Sequence, residues 1–219
     1  MSATLNAGQG RCHGTSRLLV KPVQAVIELG ASGDVLAKTL NAVHHANRHG
    51  APDDFIAIAL PAMRPGRNCM LPGHESELIG SESSLSRLLD LEGLRTLQRR
   101  GMLLPCEIEA AFLDPGQVGA AYVRDRTCEK NTAGWIRRNK ARAERRNKPW
   151  TDRRSKPAGD DLSALELHYG SAVLHVRQII SEMTEKPLMV STYGFSGPGP
   201  GQAVLPVLPD LARETEDAA

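Results

Sequence analysis

The chain of 219 residues is 41% hydrophobic with a formal net charge of +2, so it can bury a core, and no run of about 18 apolar residues predicts a membrane span. Its four cysteines are widely spaced and form no CxxC pair, which argues against a zinc site and is typical of reduced thiols in a cytoplasmic protein. Only 4% of the residues are aromatic, which argues against binding by stacking of many unpaired bases on aromatic rings.

The first half of the chain predicts alternating strands and helices. Residues 1–17 lack the apolar segment of a signal peptide and are predicted to be a flexible lead. The predicted elements that follow are a strand at 18–29, mainly from Val23 onward, a helix at 34–48, a strand at 53–61, an irregular segment at 62–80 with a short strand near 69–71, a helix at 82–98 interrupted at Gly93, and a strand at 102–112. Their order is that of a ferredoxin-like (RRM-like) domain, which we expect over residues 18–114.

The second half predicts a different unit over residues 115–210. The sequence DPGQVG indicates the hinge that leads into it. A strand is predicted from Leu165 to about Ile180, and the glycines that follow Tyr193 predict a turning loop. A polar tail follows at 211–219. The fold class expected is therefore α+β, with a divergent second α/β unit that carries an arginine-rich helix.

The charge of the chain is distributed very unevenly. Residues 124–156 contain 13 of the 27 lysines and arginines but only 4 of the 25 acidic residues, for a local charge of +9, so the remainder of the chain carries −7. A concentrated basic segment on an acidic protein is typical of nucleic-acid binding.

Within this basic segment, residues 133–147 are predicted to be helical. Asn131 or Thr132 can cap the helix, and Pro149 cannot continue it. The alternatives are a solvated helix or a disordered basic linker. Arginine outnumbers lysine, and its planar fork suits phosphates and guanine edges, which favours RNA binding.

Three segments in the same order resemble a known family. His45 lies sixteen residues before Pro61 in HHANRHGAPDDFIAIALP, RDRT precedes the arginine-rich helix, and the chain closes with STYGFSGPGPGQAVLPVL. Together they resemble the CRISPR repeat-processing endoribonucleases of type I-F systems and their type IV and transposon-associated counterparts.

The resemblance implies an enzyme that needs no metal or other cofactor. The 2′-OH next to the scissile phosphate attacks it, and a group with a pKa near 7 transfers the proton, a task that suits an imidazole. By the family pattern this is His45, with His44 and His49 as alternatives. Tyr193 corresponds to the tyrosine that positions the histidine or the substrate. The family's serine context is not reproduced, and its nearest candidate is Ser171, with His168 as a substitute.

The resemblance also implies how the RNA is bound. Arg124 and Arg126 match the linker that reads base pairs at the foot of a repeat hairpin. The helix is expected in the major groove near the end of a short stem, mainly in contact with phosphates. Its candidate contact residues are Arg137, Arg138, Arg142, Arg145 and Arg146.

The expected partners are the CRISPR repeat hairpin RNA and the other subunits of a CRISPR effector complex, in the cytoplasm and without a membrane. Two alternatives remain open. One is a non-catalytic subunit that caps the guide RNA hairpin. The other is a ribosomal or ribonucleoprotein assembly protein, which accounts for the basic helix but not for the His45-to-Pro61 spacing.

Overall fold

A computed structural model of the chain describes residues 5–6, 8–67, 70–112, 114–124, 133–150, 164–169, 172–184, 187–197 and 201–206. Within these residues the protein has a mixed α+β fold in which most neighbouring strands are antiparallel. The helices are α1 (Gln24–Glu28), α2 (Ser32–His49), α3 (Glu82–Leu89), α4 (Glu92–Arg99) and α5 (Ala133–Arg145). The strands are β1 (Gln9–Cys12), β2 (Ser16–Val20), β3 (Ala57–Ala59), β4 (Arg64–Pro65), β5 (Met70–Leu71), β6 (Ser76–Gly80), β7 (Ile108–Ala110), β8 (Val118–Arg124), β9 (Ala164–Tyr169), β10 (Ala172–Glu182), β11 (Leu188–Ser191) and β12 (Leu205–Pro206).

The first half of the chain forms a four-stranded sheet. Its strand order is β3-β6-β2-β7, and each neighbouring pair is antiparallel. The connection from β2 to β3 contains α2, and the connection from β6 to β7 contains α3 and α4. Helix α2 buries Leu36, Leu40 and Val43, whose spacing of three and four residues places them on one side of a helix. The sheet therefore carries its helices on the two crossover connections.

The second half of the chain contributes most of a six-stranded sheet with the order β12-β8-β10-β9-β5-β4. Strand β10 lies between β8 and β9 and is antiparallel to both. Strand β5 pairs with β9 in parallel through Met70 and Leu165. Strand β1 pairs with β11 in a separate two-stranded sheet. The β5–β9 and β1–β11 pairs therefore both connect residues before position 114 with residues after it.

One hydrophobic core is shared by the two halves of the chain. Its largest fully buried side chains include Phe55 from the first half and Phe195 from the second. The backbone N–H of Ile58 in β3 also donates a hydrogen bond to the carbonyl oxygen of Gly194, at 3.0 Å. This shared core holds α2 next to the chain segment that follows β11.

The strand predicted at 18–29 is wrong in its second half. Strand β2 ends at Val20, and the segment after Pro22 forms the short helix α1. Val23, Val26 and Ile27 are spaced by three and four residues, which suits a helix, but their β-branched side chains suggested a strand. In the lead predicted to be flexible, Gln9–Cys12 is a strand, and Cys12 is buried.

The largest omission of the sequence analysis is β6, which lies inside the segment predicted to be irregular. All five residues of β6 are buried, so the strand shows no alternation of apolar and polar residues. The helix predicted at 82–98 is two helices that separate at Asp90 and Leu91 rather than at Gly93. The strand predicted at 102–112 is reduced to β7, since Pro105 supplies no backbone donor to a ladder.

The single strand predicted from Leu165 to Ile180 is a pair of antiparallel strands, β9 and β10. Its apolar alternation continues through both strands, and Gly170 was the turn signal that the prediction passed over. Of the helices in the described ranges, none combines the length and the apolar character that crossing a bilayer requires.

Candidate active site

Helix α2 carries the three neighbouring histidines in its last turns. His44 follows the buried Val43 and is half-buried, whereas His45 and His49 are exposed. A step of one residue turns a helical side chain by about 100°, so neighbours on a helix face different surroundings. His44 therefore points to the inner side of the helix, and His45 points away from it.

Tyr193 lies in the turn that follows β11. Gly194 closes this turn at φ 81°, and its backbone N–H donates to the carbonyl oxygen of Ser191 at 2.8 Å. A Cβ atom at position 194 would lie 3.0 Å from both the Ile56 carbonyl oxygen and the Val43 side chain. Glycine is thus required both by the backbone conformation and by the close approach of α2 and β3. The turn presents Tyr193 to the inner side of α2.

The rings of His44 and Tyr193 are stacked. Their centroids are 4.2 Å apart, and their planes differ by 10°. The guanidinium carbon of Arg124, at the end of β8, lies 5.0 Å from the centre of the Tyr193 ring, within the range of a cation–π interaction. We call His44, Tyr193 and Arg124 the stacked triad. It brings together an imidazole and a permanent cation from distant parts of the chain.

Burial lowers the pKa of His44 below its ordinary value of 6.5, and it is the largest influence on this group. A hydrogen bond with the backbone of Thr192 acts in the opposite direction, while the charges of Arg48 and Arg124 lower the pKa further. His44 is therefore neutral at pH 7. A neutral imidazole can accept a proton, and the nearby guanidinium of Arg124 suits an anionic phosphate.

The buried side chain of Asn47 holds α2 in place. Its amide oxygen accepts from the backbone N–H of Ile56 at 2.7 Å, and its amide nitrogen donates to the Ile56 carbonyl oxygen at 2.9 Å. The same nitrogen lies 3.4 Å from the Thr192 carbonyl oxygen, next to Tyr193. The sequence analysis missed this residue. The sequence did contain an indication of its role. Asn47 lies on the same side of the helix as the buried Leu40 and Val43, and an amide that is buried there needs hydrogen-bond partners.

On its other side, α2 faces α4 across an open cleft of about 540 Å³, which we call the α2–α4 cleft. The His45 and His49 rings, with centroids 4.3 Å apart, both line the cleft. Lys38 and Arg48 line it as well, and so does His44 of the stacked triad. The cleft thus shares His44 with the stacked triad and is bordered by cationic side chains.

Helix α5 has no buried residue, as its run of charged residues implies. The helix ends at Arg145, and Asn147 follows at φ 51°. The backbone N–H groups of Asn147 and Lys148 donate to the carbonyls of Glu144 and Ala143, which is a Schellman end one turn before Pro149. All of the arginines predicted on this helix are exposed: Arg137, Arg138, Arg142, Arg145 and Arg146.

Two predicted site residues, Arg126 and Ser171, lie outside the described residues, as do the predicted capping residues Asn131 and Thr132. His168 is a residue of β9, where its backbone is paired with Val173 of β10. Among the predicted catalytic residues that are described, Tyr193 stacks on His44, which was the alternative choice to His45.

Comparisons of the chain with models of protein families and with curated proteins found no match. The function of the protein therefore has to be inferred from the site itself and from the sequence motifs that the chain carries.

Proposed function

We propose that this protein is a metal-independent endoribonuclease that binds the repeat hairpin of a CRISPR precursor RNA and cuts it at the 3′ base of the stem. The observation that carries the proposal is the stacked triad, in which an imidazole kept neutral by burial contacts Tyr193 and lies close to the Arg124 guanidinium. A proton acceptor and a cation for the phosphate are groups that 2′-OH attack on a phosphodiester uses.

In the proposed reaction, His44 accepts the proton of the 2′-OH, and the 2′-oxygen forms a bond to phosphorus. The bond between phosphorus and the 5′-oxygen breaks, and this oxygen takes a proton from water. The products are a 2′,3′-cyclic phosphate and a 5′-OH. The positive charge of Arg124 stabilises the extra negative charge that the phosphate carries in the transition state. Stacking on Tyr193 holds the imidazole in one orientation.

The sequence motif indicates His45 as the residue that transfers the proton. The proposal assigns this role to His44 instead. The reason is that the motif pairs the histidine with a C-terminal tyrosine, and Tyr193 stacks on His44. His45 is exposed and lines the α2–α4 cleft. Substitution of each histidine separately distinguishes the two assignments.

We further propose that the first half of the chain is a ferredoxin-like (RRM-like) domain. The strand order β3-β6-β2-β7 and the two helical crossovers support it, because the ferredoxin-like pattern βαββαβ arranges its four strands in the same spatial order. Helix α5 belongs to the second unit and serves the hairpin stem. Its exposed arginines would keep the enzyme on its product, as a subunit of an effector complex in the cytoplasm.

The test is cleavage of an RNA with the repeat hairpin, in EDTA and under single-turnover conditions, next to a copy with one 2′-deoxy residue before the cut. We expect cleavage of the first RNA only. His44→Ala should lower the rate by about 10²–10⁴-fold with hairpin affinity retained, since general base catalysis contributes a factor of that size. Tyr193→Phe should retain the rate, because phenylalanine preserves the stack.

The matched control is His13→Ala, at an exposed position directly after β1, and His45→Ala tests the alternative assignment. A large loss in His45→Ala with little loss in His44→Ala would move the proton transfer to His45. Wild-type cleavage should decline on acidification only below pH 6.5, because burial lowers the pKa of His44 and its neutral form is the active one. A decline that begins well above pH 6.5 would contradict His44 as the base.

Hairpin binding without cleavage is the second candidate function. It is favoured by α5 alone, whose exposed cations do not depend on the stacked triad. Tight binding of the hairpin with no cleavage of the all-ribose RNA would establish this function and reject the nuclease. Equal affinity for the hairpin and for an unrelated stem would reject both in favour of a general RNA-assembly protein.

A further inference from the structure

The α2–α4 cleft has a charge that the stacked triad does not account for. Lys38 and Arg48 line it, and neither forms an ion pair within the part of the chain that the structure describes. The carboxylate of Glu92, at the opposite wall, is paired with Arg99 at 2.8 Å and accepts a hydrogen bond from Thr96. The cleft is therefore suited to an anion, with two cations on one wall and a compensated carboxylate on the other.

The size and the rings of the cleft suit a nucleotide. A volume of about 540 Å³ lies within the range of small-ligand pockets, roughly 300–1,000 Å³. The His45 and His49 rings pack against each other at its wall in a tilted arrangement, and such rings offer a face of the kind on which bases stack. Gly93 lines the opposite wall, and a Cβ atom added to it would meet nothing within 4 Å. The cleft thus combines phosphate-binding and base-stacking groups with open space.

The position of the cleft indicates which nucleotides it takes. His44 contributes to the cleft and to the stacked triad. Because His44 belongs to both, RNA that is cut at His44 has the nucleotides next to the scissile phosphate beside the cleft.

We infer that the α2–α4 cleft binds the first two nucleotides downstream of the cut, with phosphate at Lys38 and Arg48 and a base against His45 and His49. This inference rests on the proposed function for the direction of the strand. It adds a subsite for the leaving RNA fragment, and it makes the length of the 3′ flank a determinant of the cleavage rate.

The first experiment compares single-turnover cleavage of two hairpin RNAs, one that ends one nucleotide after the scissile phosphate and one with six more nucleotides. We expect the longer RNA to be cut about 10-fold faster at subsaturating protein. The variant Lys38→Ala should remove most of this advantage and leave the rate of the short RNA within about 2-fold.

Gly93→Phe is a steric probe of the same cleft. Its ring would fill open space without contacting the core, so it should also remove the advantage of the long RNA. Gly33→Phe is the matched control, because Gly33 is another exposed helical glycine with nothing within 4 Å of an added Cβ atom, and it does not line the cleft. It should retain the full advantage.

The second experiment does not depend on cleavage. The imidazole resonances of the wild-type protein are followed by NMR during titration with a single-stranded RNA tetranucleotide and, separately, with inorganic phosphate. We expect the tetranucleotide to shift the resonances of His45 and His49 at least 10-fold more strongly than phosphate at equal concentration, and Gly93→Phe to abolish the shift.

The two experiments separate failure of this inference from failure of the proposed function. A tetranucleotide response at His45 and His49 without any hairpin cleavage would retain the nucleotide subsite and reject the nuclease. Cleavage with equal rates for both flank lengths, together with no response of these histidines, would overturn the subsite and leave the nuclease standing. An equal response to inorganic phosphate would also overturn it, since a bare anion site would then account for the cleft.

Discussion

The side chain of Asn47 illustrates how much of the candidate site depends on single residues. Its amide group connects α2 to both backbone groups of Ile56 and reaches the carbonyl of Thr192, 145 positions away in the chain. It is 1% exposed, so water cannot replace these partners. Asn47 therefore positions His44 relative to Tyr193 through its bonds to the backbone of Ile56 and Thr192.

We predict that Asn47→Ala lowers the free energy of unfolding by about 2–4 kcal/mol, because it leaves the buried N–H and C=O of Ile56 without their partners. Urea denaturation, monitored by circular dichroism, measures the change. The control is Asn41→Ala, on the exposed surface of the same helix, where the amide bonds only the Ala37 carbonyl. Its cost should stay below about 0.5 kcal/mol, and an equal cost for both variants would contradict the positioning role.

The histidines show what residue-scale reasoning can and cannot predict. Helical periodicity places His44 on the side of Leu40 and Val43 and turns His45 away from it, and their exposures agree with this. Which of them meets Tyr193 was not predictable from periodicity, since the partner belongs to a turn beyond the last long strand. The motif spacing favoured His45, and the stacking contact favours His44.

At the scale of elements, α5 is the part of the candidate interface that follows most directly from the sequence. Its arginines repel one another at spacings of three and four residues, and none of its side chains contributes to the core. A polyanion would relieve that repulsion. The helix still forms a defined end at Asn147, because a Schellman motif satisfies its last carbonyls.

We predict that hairpin affinity falls steeply with salt, with a log–log slope of about −4 for five phosphate contacts. Arg138→Ala/Arg142→Ala should reduce the steepness by about 2 units, since each lost contact removes about 0.9. A fluorescence anisotropy titration at several salt concentrations measures it. The control pair, Arg64→Ala/Arg67→Ala, removes the same charge from an exposed segment near β4 and should leave the slope within about 0.5. Equal losses for both pairs would indicate general charge attraction instead of contacts by α5.

The strands that were predicted wrongly or not at all have one physical feature in common, which is that neighbouring strands define them. Strand β6 is buried on both faces, so it has no apolar–polar period, and it lies in a stretch rich in proline and glycine that predicted a loop. Strand β7 needed β2 as a neighbour to be defined, and β9 and β10 needed each other. Helices α2 and α5 were predicted nearly to their ends, because helix formation depends on hydrogen bonds within four residues of one another.

At the scale of the whole molecule, folding buries the carboxyl group of Glu77 and so makes stability depend on pH. This carboxyl lies in the middle of the four-stranded sheet, is 1% exposed and forms no hydrogen bond to a described residue. Burial raises its pKa from 4.5 to about 7, and the charge of Arg17, 3.9 Å away, opposes that rise only in part. Between about pH 4.5 and pH 7 the Glu77 carboxyl is therefore protonated in the folded protein and ionised in the unfolded chain.

The sign of the resulting pH dependence follows from the direction of this shift. The contribution of Glu77 to stability is complete below pH 4.5 and is lost as the pH rises through about 7. We predict that Glu77→Gln, which cannot ionise, is more stable than wild type at pH 8, by on the order of 2–3 kcal/mol, and equal to it near pH 4.5. Thermal unfolding at a series of pH values measures the difference.

The control for this prediction is Glu107→Gln, at an exposed position near the same part of the sheet, which should follow the wild-type profile. If the Glu77→Gln protein and the wild type lose stability in parallel between pH 5 and pH 8, the buried carboxyl is not the source of the dependence.

The amino-acid sequence by itself determined the uneven charge, the α+β composition, the arginine-rich helix and the turn after Tyr193. These features depend on residue types and on interactions between near neighbours, which a linear pattern records. Only the tertiary structure decided that His44 stacks on Tyr193, that α2 and α4 border a cationic cleft, and that Glu77 is buried. These contacts join segments far apart in the chain, and they exist because both halves bury their apolar side chains in one shared core.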